Sequence, residues 1–340
     1  MATVGNVSTR DTKPFDIVET YHNLLREDPD VTMPVAAIEA LILLLNHSCA
    51  TTVMETLDLL AAQSTYLKSK VPNPISLSAG TDLFQRYMIS SLKTTGEGNF
   101  ETVRQHLLSN GRLFVTRAKA GRDRIANYGR HFVRDGCTVL THGGSRVVGT
   151  LLSKAAEASA SGGSVRFKVI YVLNESQSLE SRSVVSSLRK KGVPVATISE
   201  GAVGYAMGKV DLVIVGAEGV VENGGVISRL GTYQIGLLAK AASKPFYVVA
   251  ESHKFVRFYP LGQYDLPIEQ RVIDFSTEEE KPMVERMEYF DEKVVVGQGE
   301  PNGSIDAVDY TPPHLVSALI TESGVLTPSA VSEELINVYF

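Results

Sequence analysis

CTVLTHGGSRVVGTLLSKAAEASA, residues 137–160, changes period in its middle. Cys137 to His142 is a short apolar run rich in β-branched residues, the kind that fills a buried strand. Gly143 and Gly144 turn the chain, and a helical spacing of apolar residues follows. The same alternation repeats downstream. VRFKVIYVLN (165–174), VPVATIS (193–199), VDLVIVGAEG (210–219) and KPFYVVAES (244–252) read as strands. SRSVVSSLRKKG (181–192), EGAVGYAMGK (200–209) and LGTYQIGLLAKAAS (230–243) read as helices between them. Strands alternating with helices imply crossover connections and a parallel sheet covered on both faces. The fold class is therefore α/β, with a Rossmann-like parallel-sheet domain over residues 131–340.

Working outward, residues 1–130 read as an amino-terminal helical domain. Phe15, Ile17, Val18, Tyr21, Leu24 and Leu25 recur at helical spacing. Pro34 suits a first helical turn before VAAIEALILLL (35–45). Thr51 or Thr52 can cap the run from Val53 to Lys70, and Val71-Pro72-Asn73-Pro74 breaks it. A helix over about 76–93 ends at Gly96 and Gly98. A longer one spans about 99–134, with an interruption expected near Gly111 or Gly121. At the other end, the acidic run Glu278 to Glu280 reads as a solvated loop. The final stretch, DYTPPHLVSALITESGVLTPSAVSEELINVYF (309–340), shows caps at Thr311 and Thr327 and two apolar helical faces, for packing on the sheet or at a subunit contact.

Composition bounds the function. The 340 residues are 44% hydrophobic with a formal net charge of -5. A core can be buried, and a general nucleic-acid binder is disfavoured, so no DNA partner is expected. The two cysteines, Cys49 and Cys137, are far apart and read as buried free thiols. The amino terminus lacks the apolar core of a signal peptide, and the longest apolar stretch contains Glu39 and is too short to span a bilayer. A cytosolic protein without membrane contact is expected.

In open α/β sheets ligands sit beyond the carboxyl ends of the strands. Four segments fall there. Thr141-His142-Gly143-Gly144-Ser145-Arg146 joins glycines, a hydroxyl, a fixed charge and a helix start, which together suit a phosphate. Asn174-Glu175-Ser176-Gln177 is polar but equally a loop. Gly216 to Gly225 combines the carboxylate of Glu218 with a flexible loop and an Asn223-Gly224-Gly225 turn leading to a helix carrying Lys240. Glu218 there suits sugar hydroxyls or a proton transfer. In Ala250-Glu251-Ser252-His253-Lys254, His253 and Lys254 read as surface residues more readily than as ligands. No GxGxxG follows a strand and no GxxxxGK[ST] occurs, so dinucleotide and P-loop fingerprints are absent. No metal site is supported, no catalytic triad can be assembled, and His47 reads as a satisfied core residue.

Three stretches carry a resemblance: Val210 to Pro267, Val308 to Ile336, and TVLTHGGSRVV (138–148). They resemble the alpha, beta and delta subunit family of eukaryotic translation initiation factor 2B, its short alpha branch in particular, across residues 15–340. That family is related to methylthioribose-1-phosphate isomerase and ribose-1,5-bisphosphate isomerase. The resemblance implies a regulatory, non-catalytic subunit of the guanine-nucleotide exchange factor for initiation factor 2. It implies a homodimer that joins two beta-gamma-delta-epsilon halves into a decamer and helps sense the phosphorylated alpha subunit of initiation factor 2. Arg117, Lys119, Arg122, Arg124 and Arg130 would supply a basic face for that phosphate, and FVRFYPL (255–261) with the last two helices a dimer contact. The isomerases place a cysteine where Gly143 stands and an aspartate where Glu218 stands. Met33 to Ala37 stands where they carry an Arg-Gly-Ala-Pro loop. A sugar-phosphate isomerase is thus the alternative reading. The resemblance places His142, Gly144, Ser145, Arg146, Glu218, Asn223, Gly224 and Lys240 around a regulatory sugar phosphate or nucleotide monophosphate. No catalytic cofactor is expected.

Overall fold

The computed structural model describes residues 15–28, 31–48, 50–71, 73–94, 100–160, 166–173, 178–268, 270, 272–273, 275 and 307–339. Cys49, Gly96, Gly98, the Asn174 to Gln177 segment and the Glu278 to Glu280 run lie outside these residues.

Five helices come first: α1 (Ile17–Glu27), α2 (Met33–His47), α3 (Val53–Ser69), α4 (Ile75–Thr94) and α5 (Phe100–Gly129). Asp16 caps α1, its Oδ1 accepting from Val18 and Glu19 at 2.8 and 3.1 Å. Thr52 caps α3 through the Glu55 N–H at 3.2 Å. α2 is apolar nearly all round and is buried accordingly at the centre of the group. Its last carbonyls would be left open there, and Arg104 of α5 supplies the donors, reaching Leu45, Asn46 and Ser48 oxygens at 2.8, 3.1 and 3.1 Å. α5 runs 30 residues without the expected interruption. Gly111 is a contact glycine: a Cβ there would lie 2.9 Å from the Ile42 side chain of α2. His47 makes its bond to the Leu43 carbonyl at 2.8 Å but is exposed beside Phe15, not in the core.

The sheet strands are β1 (Thr138–His142), β2 (Lys168–Leu173), β3 (Val195–Ser199), β4 (Leu212–Gly216), β7 (Phe246–Val249), β10 (Ala318–Thr321) and β11 (Gly324–Leu326). Their order is β11-β10-β7-β4-β1-β2-β3, parallel except for β11. Helices α6 (Arg146–Ala160), α7 (Ser178–Lys190), α8 (Val203–Ala206) and α9 (Thr232–Ala241) connect them. The order reverses between β1 and β4, so the crevice of a doubly wound sheet opens beyond His142 and Gly216.

Two further expectations fail. The Gly216 to Gly225 segment is not a flexible loop. It folds into a hairpin, β5 (Gly219–Val221) and β6 (Val226–Arg229). With β8 (Phe255–Val256) and β9 (Val308–Thr311) the hairpin makes a second, four-stranded sheet. The carboxyl-terminal stretch holds one helix, α10 (Val331–Tyr339), not two. Thr311 ends β9, and Ala318–Thr321 forms β10 beside β7. Three apolar residues and a threonine between a proline turn and a glycine turn suit a buried strand as well as a helix face, and parallel pairing with β7 decides between them. Thr327 stands at the start of the helical stretch that leads into α10, as expected, but its side chain makes no cap bond.

Candidate functional site

A cavity of about 120 Å³ opens at the switch point between β1 and β4, where the helical layer meets the sheet. Three helices start on it. Thr32, Met33 and Pro34 come from the start of α2, Ser76 from the start of α4, and Ser145, Arg146 and Val147 from the start of α6. Each start carries the partial positive charge of a helix end, although Pro34 has no N–H and the Ile75 N–H already donates to Asn73 Oδ1 at 3.2 Å. Helix starts that converge in this way favour an anion over a cation.

The turn after β1 is built for close approach. Gly143 and Gly144 have φ of 79° and 65°. The Gly144 N–H donates to the Tyr171 hydroxyl at 2.9 Å, which fixes the turn. At Gly216 any Cβ would collide with Ser145 Oγ, so β4 can end against the α6 start only as glycine.

His142 is 4% exposed, and burial, then Arg229, push its pKa down to about 4. Its Nε2 lies 2.7 Å from Thr232 Oγ1, whose own proton goes to the Arg229 carbonyl at 2.6 Å. Nε2 must therefore carry the hydrogen, leaving Nδ1 as the ring's acceptor. Three cations face the cavity. Arg146 donates to the Val31 carbonyl at 2.6 Å and so ties α6 to the residues ahead of α2. Arg229 Nε lies 3.4 Å from Glu218 Oε1, with Glu180 at 4.0 Å. Lys254 donates to the Ala217 carbonyl at 2.9 Å and pairs with Glu251 at 3.2 Å. Burial opposes the Glu251 charge, yet Lys254, His253 and Arg122 hold its pKa down to about 2. The lining contains no thiol. Among the described residues no cluster of histidine, cysteine and carboxylates could hold a metal ion.

Of the residues predicted for the site, His142, Gly144, Ser145, Arg146 and Glu218 line the cavity together. Asn223, Gly224 and Lys240 do not. Asn223 and Gly224 form the tip of the β5–β6 hairpin, where Asn223 donates to the Tyr310 hydroxyl at 2.7 Å and accepts from the Gly225 N–H at 2.8 Å. Lys240 is exposed in the last turn of α9. The hairpin explains both the error and the omission. It carries residues 222–225 about 13 Å or more from Glu218, at about 3.3 Å per residue, and brings Ser228 and Arg229 back opposite it. Gly219 pairs with Ile227, and the Glu218 N–H donates to the Ile227 carbonyl at 2.8 Å. The signal was in the sequence: an Asn-Gly turn between two β-branched runs. His253 and Lys254 are likewise not surface residues. His253 is 3% exposed, and Lys254 reaches the cavity floor.

Fold and cavity define a doubly wound α/β protein with a helical layer and a glycine-walled, cation-lined cavity where the two meet. Comparison with known proteins narrows this. The model of the Initiation factor 2 subunit family matches residues 26–328. "Translation initiation factor eIF2B subunit alpha" of Dictyostelium discoideum is 37% identical over 331 residues, 96% of this chain and 98% of that one. Ribose 1,5-bisphosphate isomerase of Archaeoglobus fulgidus is 30% identical over 268 residues, 78% of this chain and 75% of that one. The solved tetrameric eIF2B-beta2-delta2 complex from C. thermophilum shares the fold with a TM-score of 0.70 at 19% identity, covering 95% of this chain and 94% of that one. The chain belongs to the Initiation factor 2 subunit family.

Proposed function

We propose that the chain is a regulatory, non-catalytic subunit of the guanine-nucleotide exchange factor for initiation factor 2, of the alpha type. The observation that carries this is the 37% identity to an eIF2B alpha subunit across nearly the whole of both chains. The pocket supports it. Glycine stands at Gly143, the position where the resemblance puts the isomerases' thiol, and among the described residues no thiol lines the cavity. What is left is an anion site with hydroxyl partners, suited to holding a sugar phosphate or nucleotide monophosphate as a regulatory ligand. The isomerase reading rests on the 30% identical Archaeoglobus enzyme. Incubation with ribose 1,5-bisphosphate and, separately, with methylthioribose-1-phosphate separates the two, since an isomerase of either relative's kind turns one of them over.

The assembly part of the proposal has the chain in the cytosol as a homodimer, joining two beta-gamma-delta-epsilon halves into a decamer. Support comes from the apolar groups around the FVRFYPL segment. Tyr259 is 59% exposed, Leu261 86% and Tyr264 93%, and Ile336 of α10 is 57% exposed. Such a surface suits a self-complementary contact. The sensing part assigns the exposed Arg117 and Arg124 of α5 to the phosphorylated alpha subunit of initiation factor 2. The wider basic face narrows to these two. Lys119 is engaged by Glu39 at 2.9 Å, Arg122 acts on the buried Glu251 and His253, and Arg130 is half-buried. Co-expression with the beta, gamma, delta and epsilon subunits tests the proposal. Recovery of a decamer that splits into halves without this chain is expected. Failure of the chain to co-purify contradicts it.

A further inference from the structure

The edge of the large sheet opposite β11 is β3, and among the described residues no strand pairs with its outer side. The Val169 N–H donates to the Pro194 carbonyl at 2.9 Å, so Pro194 and Ala196 turn their backbone groups to β2. Val195, Thr197 and Ser199 therefore point theirs outward. Edge strands of soluble proteins are usually blunted by a lysine, a proline or a bulge. Val195–Ser199 contains no charge and no proline, and its pairing with β2 is unbroken from Val195 to Ser199.

Along this edge runs a groove of about 530 Å³ between β3 and α7. Its floor is Leu173 and Val185, and its rim carries Arg182, Arg189 and Lys190, all three exposed. Among the described residues no carboxylate and no aromatic ring lines it. In a chain of net charge -5 this is a local surplus of positive charge. Lys191 adds none to it, being paired with Glu157. Arg189 already donates to the outward Val195 carbonyl at 2.9 Å, in the position a neighbouring strand's N–H would take. The missing rings argue against single-stranded nucleic acid, which binds by stacking as well as charge. A strand edge beside a cationic row fits an extended acidic peptide. Alternate residues of a strand lie about 7 Å apart on one face. Arg182 to Arg189 spans about 10 Å along the helix, so two carboxylates at alternate positions fall beneath the row.

We propose that the β3 edge and the α7 cations form a docking site for an extended acidic segment of a partner protein, added to the sheet as an eighth strand. The site shares no residue with the anion pocket and stands whether or not that pocket binds a phosphate.

The test uses the full chain and a labelled nine-residue peptide with glutamate at every second position and valine or threonine between. The expected results are salt-sensitive binding by fluorescence anisotropy and slowed amide exchange at Thr197 and Ser199. The double variant R182E/R189E should weaken binding about tenfold or more. T197P should also abolish it, because it removes an outward N–H while sparing the bonds to β2. Thermal melts check that both variants are folded. If the double reversal does not fold, R182Q/R189Q replaces it. Absence of binding overturns the proposal, as does unchanged binding by T197P, which would mean charge attraction alone. Equal binding of a peptide with its glutamates in one block, or tighter binding of a single-stranded decanucleotide, overturns it too. A change of oligomeric state in R182E/R189E would instead assign the edge to a second copy of this chain and would also overturn it.

Discussion

Arg229→Met removes the charge that sequence reading overlooked and keeps most of the side-chain volume. Arg229 and Glu218 are 15% and 18% exposed and 3.4 Å apart. In an effective dielectric of about 20 their attraction is about 5 kcal/mol, most of it offset by desolvation. Removing one partner of a fully buried pair costs about 3–5 kcal/mol. This pair opens onto a cavity, so a loss of about 2 kcal/mol of folding stability is expected. The effect on ligand is separate. A charge-assisted hydrogen bond to phosphate is worth about 1.5–3 kcal/mol, which is about ten- to a hundredfold in Kd. Urea unfolding reads the first effect, and calorimetric titration with ribose 5-phosphate reads the second. A folded Arg229→Met variant with wild-type affinity would refute the assignment and leave Arg229 as a mere counter-ion for Glu218.

Three further outcomes follow from buried groups. Gly224→Ala should cost about 3 kcal/mol by chemical denaturation, because φ is 82° and the new Cβ would strike the Pro328 carbonyl. His142, with a pKa of about 4 folded against 6.5 unfolded, binds a proton more readily in the unfolded chain. Stability should therefore fall as pH drops from 6.5 towards 4, by up to about 3 kcal/mol, and His142→Gln should flatten that slope. Asp309 behaves oppositely: burial raises its pKa to about 7 even though it accepts from the Gly231 and Tyr233 N–H groups. Its contribution is full below pH 4 and is lost as pH rises through 7. Asp309→Asn, which keeps an acceptor for the start of α9, should remove that loss, as melts at pH 6 and 8 can show.

The parallel strands were legible because their β-branched runs alternate with helical spacing, and the glycine turn at Gly143-Gly144 marked the site's first wall. The rest of the pocket was harder to read, for physical reasons. Met33, Pro34 and Ser76 lie on helices whose only sign in sequence is a start, and tertiary packing alone points those starts at one cavity. Arg229 was hidden because the residues around Asn223 were read as a loop. A hairpin reverses direction, so the residue that faces Glu218 lies as far beyond the turn as Glu218 lies before it. Lys254 looked like surface because lysine usually is; here Glu251 and the Ala217 carbonyl hold it at the cavity floor. Ala318–Thr321 was too short for periodicity to separate strand from helix.

The central claim is a pocket that binds a phosphate-bearing sugar and no longer transforms it. Phosphorus NMR of the purified chain with methylthioribose-1-phosphate, ribose 1,5-bisphosphate and ribose 5-phosphate tests both halves at once. The account predicts broadened or shifted phosphate resonances that Arg229→Met restores, with no product signal after prolonged incubation. Conversion of the substrate, or phosphate resonances untouched by the folded protein, would contradict it.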